Sequence, residues 1–283
     1  MNTNLRWEGT VTATSSIVHG EQSLGTVTYL RRERFLMPDN TTEDIPVISG
    51  NAWRGILRRT AADLWWEAAG EPKLTLAVIH AIWSGGALAK NSGTPLTGSR
   101  LLRVKELCPP IGLFGVAGGG RIIDGCLQVG KLIPICQETL HILPEHYRTE
   151  QGSLPSIWDL TQVENYSKIP TRQKTVEPTT SDTSEEDAYS PVRFGTETFI
   201  AGTRFHTWLT ATWPTPTETA LLQETLTTYN EFARVGGMAR SGHGNLTVNL
   251  TLTNGNLPTG IPVDWRTPIT TATDLLQTLA WLD

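Results

Sequence analysis

The chain is short of cysteine, of positive charge and of long apolar runs, and each shortage closes off a class of protein. Its 283 residues include only three cysteines, Cys108, Cys126 and Cys136. An odd number without C-x-x-C spacing supplies neither a disulfide framework nor a four-ligand zinc centre, and suits a reducing compartment. No stretch approaches the ~18 consecutive apolar residues of a membrane span. The opening segment, MNTNLRWEGT, lacks a basic region followed by an apolar one. The expectation is a soluble, unexported, cytoplasmic chain with no membrane partner. Its length allows one large domain with insertions or two small ones, and is ample for a buried core.

A cationic excess is also missing. The formal net charge is -5, whereas nucleic-acid binders usually carry a basic patch. The total hides a distribution, because Asp182, Glu185, Glu186 and Asp187 all fall in the stretch SDTSEED and the remainder is nearly neutral. The cations are 17 Arg against 6 Lys. A guanidinium suits bidentate phosphate contact better than an ammonium does, although ordinary surface charge would give the same count. Catalytic signatures are lacking as well: there is no G-x-S-x-G, H-E-x-x-H or Walker sequence. His80, His141, His146 and His206 are scattered and read as surface or satisfied core residues. Neither a metal nor a cofactor is expected.

What is present is an order of elements. Residues 5–17 alternate apolar and polar, the period of a half-buried strand. After a turn at His19 and Gly20, a second extended stretch, 25–37, carries Arg31, Arg32 and Arg34. MPDNTTED reads as a loop. Trp53, Ile56, Leu57, Ala61, Leu64 and Trp65 then recur at helical spacing behind Ser49 as N-cap. The opposite face of that helix bears Arg54 and Arg58, four residues apart. Residues 71–106 read as an inserted helical or loop module. The run from Cys108 to Cys136 reads as a loop leading into strands that turn at Gly125 and Gly130. Residues 137–191 are polar, acidic and proline-bearing, and read as a protruding insertion with a basic patch, KIPTRQK. VRFGTETFIAGTRFHTWLTATW is the strongest strand signal. A helix over 217–234, a glycine-rich turn, a strand LTVNLTLT and a short terminal helix complete the chain. The order fits an α+β fold with a ferredoxin-like (RRM-like) βαββαβ core and large insertions.

Two places could bind anions. Gly236-Gly237-Met238-Ala239-Arg240-Ser241-Gly242-His243-Gly244 has the glycine content of an anion-binding nest, with Arg240, Ser241 and His243 as further donors. A hairpin connection would look the same. Ser49-Gly50-Asn51-Ala52-Trp53-Arg54 opens a helix whose free amides and dipole favour phosphate, with Arg54 and Arg58 following along one side. A capped surface helix with solvated arginines is the alternative.

Four pieces in order carry a resemblance. IPVISGNAWRGILRR resembles the element opening the first helix of the RAMP superfamily of CRISPR-associated proteins. LFG at Leu113 to Gly115, ETFIAGTRF and GGMARSGHGN are similar to that superfamily's later motifs. SSIVHG, SGNAWRG and GCLQVGKLIPICQET look most like the repeating backbone subunit of the type IV effector complex. The resemblance implies one RRM-like palm spanning residues 1–283, with a thumb-like hairpin inserted at 137–191. It further implies a non-catalytic subunit that binds guide RNA (crRNA) along its phosphates, polymerises with copies of itself beside other CRISPR effector subunits, and recognises a complementary nucleic-acid target. Carried onto this sequence, the RNA-binding residues are His19, Ser49, Asn51, Arg54, Arg58, Gly236, Gly237, Arg240, Ser241 and His243, with Lys168, Arg172 and Lys174 on the thumb. Type III backbone subunits place a target-cutting aspartate after the first strand, where this chain has only Glu21 and Glu33 as acids. A metal-dependent ribonuclease using those glutamates is one alternative. An RNA-processing endoribonuclease with His19 or His243 as general base, and a carbohydrate-binding β-domain, are the others.

Overall fold

A computed structural model describes residues 4–86, 98–118, 121–168, 192–257, 263–270 and 274–282. Strand β1 (Leu5–Ala13) buries Leu5, Trp7, Val11 and Ala13, the alternation its sequence predicts. Two hairpins follow: β2 (Gly20–Leu24) with β3 (Val27–Leu30), then β4 (Arg32–Leu36) with β5 (Thr42–Pro46). The single extended stretch expected over 25–37 is thus two strands. It breaks at Arg31, whose N–H donates to His19 O at 2.8 Å and whose carbonyl accepts from Val47 N at 3.0 Å, so the chain changes sheets there. The expected loop over 37–44 shrinks to a turn, because Thr42, Glu43 and Asp44 pair with β4.

Helix α1 (Gly50–Ala68) starts at Ser49, whose side chain accepts from Ala52 N at 3.2 Å, as the sequence indicates. Trp53, Leu57, Ala61 and Trp65 are fully buried. Each of the large ones stabilises the fold by ~2 to 3 kcal/mol. α2 (Leu76–Ile79) runs into a π-helical turn over His80–Ser84. After it come α3 (Ser99–Leu107) and α4 (Pro109–Phe114). The Pro-Pro start of α4 reads as a loop in the sequence and is a helix in the structure. Proline is welcome in a helix's first turn, where its missing N–H would have had no partner. β6 (Val116–Gly118) and β7 (Arg121–Ile123) form a small hairpin, and β8 (Leu127–Val129) and β9 (Ile133–Pro134) turn at Gly130. Three 3-10 turns precede β10 (Thr161–Lys168) and β11 (Val192–Phe199). β12 (Arg204–Ala211), α5 (Pro216–Glu231), β13 (Leu246–Asn254), α6 (Thr267–Thr270) and α7 (Leu275–Leu279) complete the fold.

The central sheet has the order β13-β1-β12-β8, antiparallel throughout, with β9 also on β12. Chain order β1, α1, β8/β9, β12, α5, β13 in that sheet is two split β-α-β units side by side, the α+β arrangement that the element order suggests. α1 and α5 cover one face, with the rings of Trp53 and Tyr229 6.3 Å apart. The other face carries Arg6, Glu8 and Thr10 beside Trp208 and His206. Part of it is covered by the segment read as a protrusion: Tyr147 shares a hydrogen bond with Thr10 at 3.0 Å and sets its ring edge-on to His206. Ile135, Leu140, Leu143, Tyr147 and Leu154 make a small apolar cluster of their own beneath it. The insertion expected over 137–191 therefore divides, its first part folding back on the sheet because it has an apolar side to bury. Hairpin β10–β11 joins β3 and β2 in a second sheet, with β11 and β3 parallel.

The arginines of α1 depart furthest from the sequence expectation. Arg58 is 6% exposed. Its guanidinium donates to Phe114 O at 2.5 Å and Gly115 O at 3.0 Å, while Arg54 Nη2 donates to Phe114 O at 2.7 Å. Both guanidinia also lie over the Phe114 ring. The orphan carbonyls at the end of α4 accept hydrogen bonds from cations, as a helix C-terminus favours. Burial depresses both guanidinium pKa values, Arg58's to about 10. These side chains tie α1 to α4 and do not line a groove. Replacing Arg58 by Met is expected to lower unfolding free energy by about 3 kcal/mol, since Gly115 O loses its charged donor and Phe114 O one of its two. Urea denaturation followed by circular dichroism measures this; a loss below ~1 kcal/mol would refute the structural role.

Candidate functional site

The segment between β1 and β2 gathers the rest of the site. Ile17 pairs with Phe199, and Val18 with Gly237. Gly237 N donates to Val18 O and Gly244 N to Ser16 O, each at 2.8 Å. His19 Nε2 accepts from the backbone N–H of Ser49 at 3.2 Å, at the start of α1. The structure thus brings His19, Ser49 and the glycine-rich turn into one neighbourhood. Asn51 is exposed on the first turn of α1, and Arg240 and Ser241 are exposed on a 3-10 turn at the tip of the glycine-rich stretch.

The chemistry of these positions differs from the expectation in three respects. The amides of Gly237, Ser241, Gly242, His243 and Gly244 already donate to protein carbonyls, so they do not form the expected anion nest. The glycines serve close approach instead: a Cβ on Gly236 would fall 2.1 Å from Val18 O, and one on Gly244 2.2 Å from Val235 O. Arg54 and Arg58 turn their guanidinia to the α4 end, on the carbonyls of Phe114 and Gly115. Lys168 ends β10, opposite Val192, while Arg172 and Lys174 lie outside the described residues.

One residue of this neighbourhood is not distinguished by the sequence. Arg31 leads into β4 next to His19, and its Nε is buried with no partner among the described residues. Its Nη1 stands 3.6 Å from Glu21, a loose surface pair. The signal is the arginine run Arg31, Arg32, Arg34, which sequence alone cannot sort. Arg32 is spent on the buried carboxylate of Glu197, which also accepts from Leu30 N at 2.9 Å, and Arg34 on Asp44 at 3.0 Å. Among the described residues no group of three or more His, Cys, Asp or Glu is arranged to hold a metal ion. Glu21 faces Arg31, and Glu33 faces Lys131.

The resembling motifs acquire physical roles. In LFG, the carbonyls of Phe114 and Gly115 receive the α1 arginines, and Gly115 (φ +65) leaves no room for a Cβ, which would sit 2.5 Å from Ile123 O. In ETFIAGTRF, Glu197 holds Arg32, Gly202 (φ +92) turns the chain, and Phe205 is fully buried edge-on against Phe199.

His19 and His206 both have pKa values lowered from the usual 6.5, first by burial; Arg31 adds to it for His19, and His146 for His206. A neutral His19 is what accepting from Ser49 N–H requires. The folded state binds these protons less readily than the unfolded chain, so stability is full above pH 6.5 and falls as pH drops below it. The urea midpoint is expected to decline on that side, with a shallower decline in His19→Gln. An identical pH slope in the variant would remove His19 from this account.

No protein-family model and no curated protein matches the chain. Among the described residues no helix is long and apolar enough to cross a membrane. Among solved structures, the chain is similar to one described as "Type IV-B CRISPR Complex", with 28% sequence identity, a TM-score of 0.62, and coverage of 95% of this chain and 98% of that one. The likeness runs along nearly the full length of both chains.

Proposed function

We propose that the chain is a non-catalytic, guide-RNA-binding backbone subunit of a CRISPR effector complex. The observation that carries this reading is the end-to-end similarity to a chain of a Type IV-B CRISPR complex. The site adds a physical rationale. Exposed Arg240 and Ser241, the exposed Asn51 at the positive end of α1, and Arg31, whose side chain is partly exposed, lie on segments tied to one strand connection. All are donors, the complement of a phosphate backbone.

In this reading the protein grips the backbone by charge and shape and leaves sequence recognition to base pairing. His19 keeps the α1 terminus in place through Nε2, which accepts from Ser49 N–H, and its Nδ1–H is the donor it would offer a phosphate. Copies of the chain would line up along one guide, next to other effector subunits, and a complementary strand would pair with the guide they present.

Co-expression with a CRISPR array and the partner subunits is expected to yield protein with bound RNA, read as the 260/280 nm absorbance ratio. The double variant Arg31→Glu, Arg240→Glu is expected to lose that RNA at unchanged melting temperature. For a labelled single-stranded RNA, the slope of log K against log salt should fall by roughly 0.7 for each phosphate the variant no longer neutralises. Wild-type protein that stays free of RNA would overturn the proposal. Cleavage of complementary RNA with magnesium would replace it with the ribonuclease reading.

A further inference from the structure

Glu164 lies within β10, yet its carboxylate gathers donors from four parts of the chain. Oε2 accepts from His243 Nε2 of the glycine-rich turn at 2.9 Å. Oε1 accepts from Thr198 Oγ1 of β11 and from Gln162 Nε2, both at 3.1 Å. The hydroxyl of Ser16, from the connection after β1, donates as well. With that hydroxyl first and His243, Thr198 and Gln162 behind it, the carboxyl is pushed down to about 2 and stays ionised. A carboxylate saturated in this way is a firm anchor, because charge-assisted hydrogen bonds are the strong ones.

The glycine-rich turn needs such an anchor. Its ends are fixed by Gly237 on Val18 and Gly244 on Ser16, but between them Ser241 N, Gly242 N and His243 N donate only to carbonyls of the turn itself. Met238 and Gly242 both adopt left-handed backbone angles, so no strand ladder runs through the tip. His243 Nδ1 is buried with no partner among the described residues. Glu164 is therefore the side-chain tie between the ring of His243 and the rest of the protein.

We infer that Glu164 is a positioning residue: through His243 it locks the glycine-rich turn to the β10–β11 hairpin, so that Arg240 and Ser241 meet RNA in a fixed place relative to that hairpin. The inference rests on the RNA-binding reading for its consequence, but its mechanical part stands on the hydrogen bonds alone. Without the tie, the ordering of the tip is charged to the binding step, which weakens affinity although every group that meets the ligand is still present.

The test uses the full chain as Glu164→Ala, His243→Ala, the double variant and Glu164→Gln. Hydrogen exchange of peptides covering 236–244 is measured beside affinity for a labelled single-stranded RNA. The two single alanine variants are each expected to speed exchange in that turn and to weaken RNA binding about tenfold. The double variant should be no worse than either single one, since both break the same tie. Glu164→Gln keeps an acceptor for His243; the hydroxyls of Ser16 and Thr198 can reverse to accept from its amide, and the exposed Gln162 amide can flip to present its oxygen, so the variant should restore most of both. Losses that multiply in the double variant would mean that His243 touches RNA directly, and would overturn the inference. So would unchanged exchange in Glu164→Ala. If the wild-type chain binds no RNA, the functional reading fails by itself, and the exchange comparison still decides whether Glu164 holds the turn.

Discussion

Everything in the candidate site hangs on six residues that belong to no regular element. Between the end of β1 and the start of β2, residues 14–19 exchange backbone hydrogen bonds with Asn245, Phe199, Gly237, Gly244 and Arg31, and His19 reaches the first amide before α1. Each such bond is worth only ~1 kcal/mol net. Their value lies in topology: one short segment fixes the relative places of the helix start, the second sheet and the glycine-rich turn, which are far apart in sequence. A shift of that segment would move all three.

The arginines divide by what their neighbours need. Arg54 and Arg58 satisfy the open carbonyls of α4, and Arg32 satisfies the buried carboxylate of Glu197. A guanidinium suits these tasks because it stays charged when partly buried and presents several donors in a plane. Those same properties suit phosphate, which is why a count of arginines cannot separate interior work from a ligand surface. Beside the strand connection itself, Arg31 and Arg240 are the arginines not committed to a buried carbonyl or carboxylate of the described residues.

Coupling between site and insertion is built from ordinary parts. Hairpin β10–β11 joins the site through Glu164, Ser16 and His243, and joins the first hairpin through the parallel pairing of β11 with β3. The residues before it, 137–160, instead bury an apolar cluster near the sheet face opposite α1 and α5. Polar composition makes the whole stretch look like one protrusion. Leu140, Leu143, Tyr147 and Leu154 belong to no single long helix or strand and give no sustained periodic signal, although in space they close into one cluster.

Sequence alone determined the α+β class, the N-cap at Ser49, the buried stripe of α1 and the alternation of β1, because capping and periodicity are local and act within a few residues. It also picked out the glycine-rich turn, but not the close approach that requires glycine there: a Cβ at 236 or 244 would meet the carbonyls of Val18 and Val235. Tertiary structure decided which donors are spent. Whether an amide or a guanidinium is free depends on a carbonyl that arrives from a distant segment, and no local pattern encodes that arrival. Hence Arg58, which reads as solvated on a helix face, is buried against α4, and Arg31, one arginine among three in a run, is the one left beside the site.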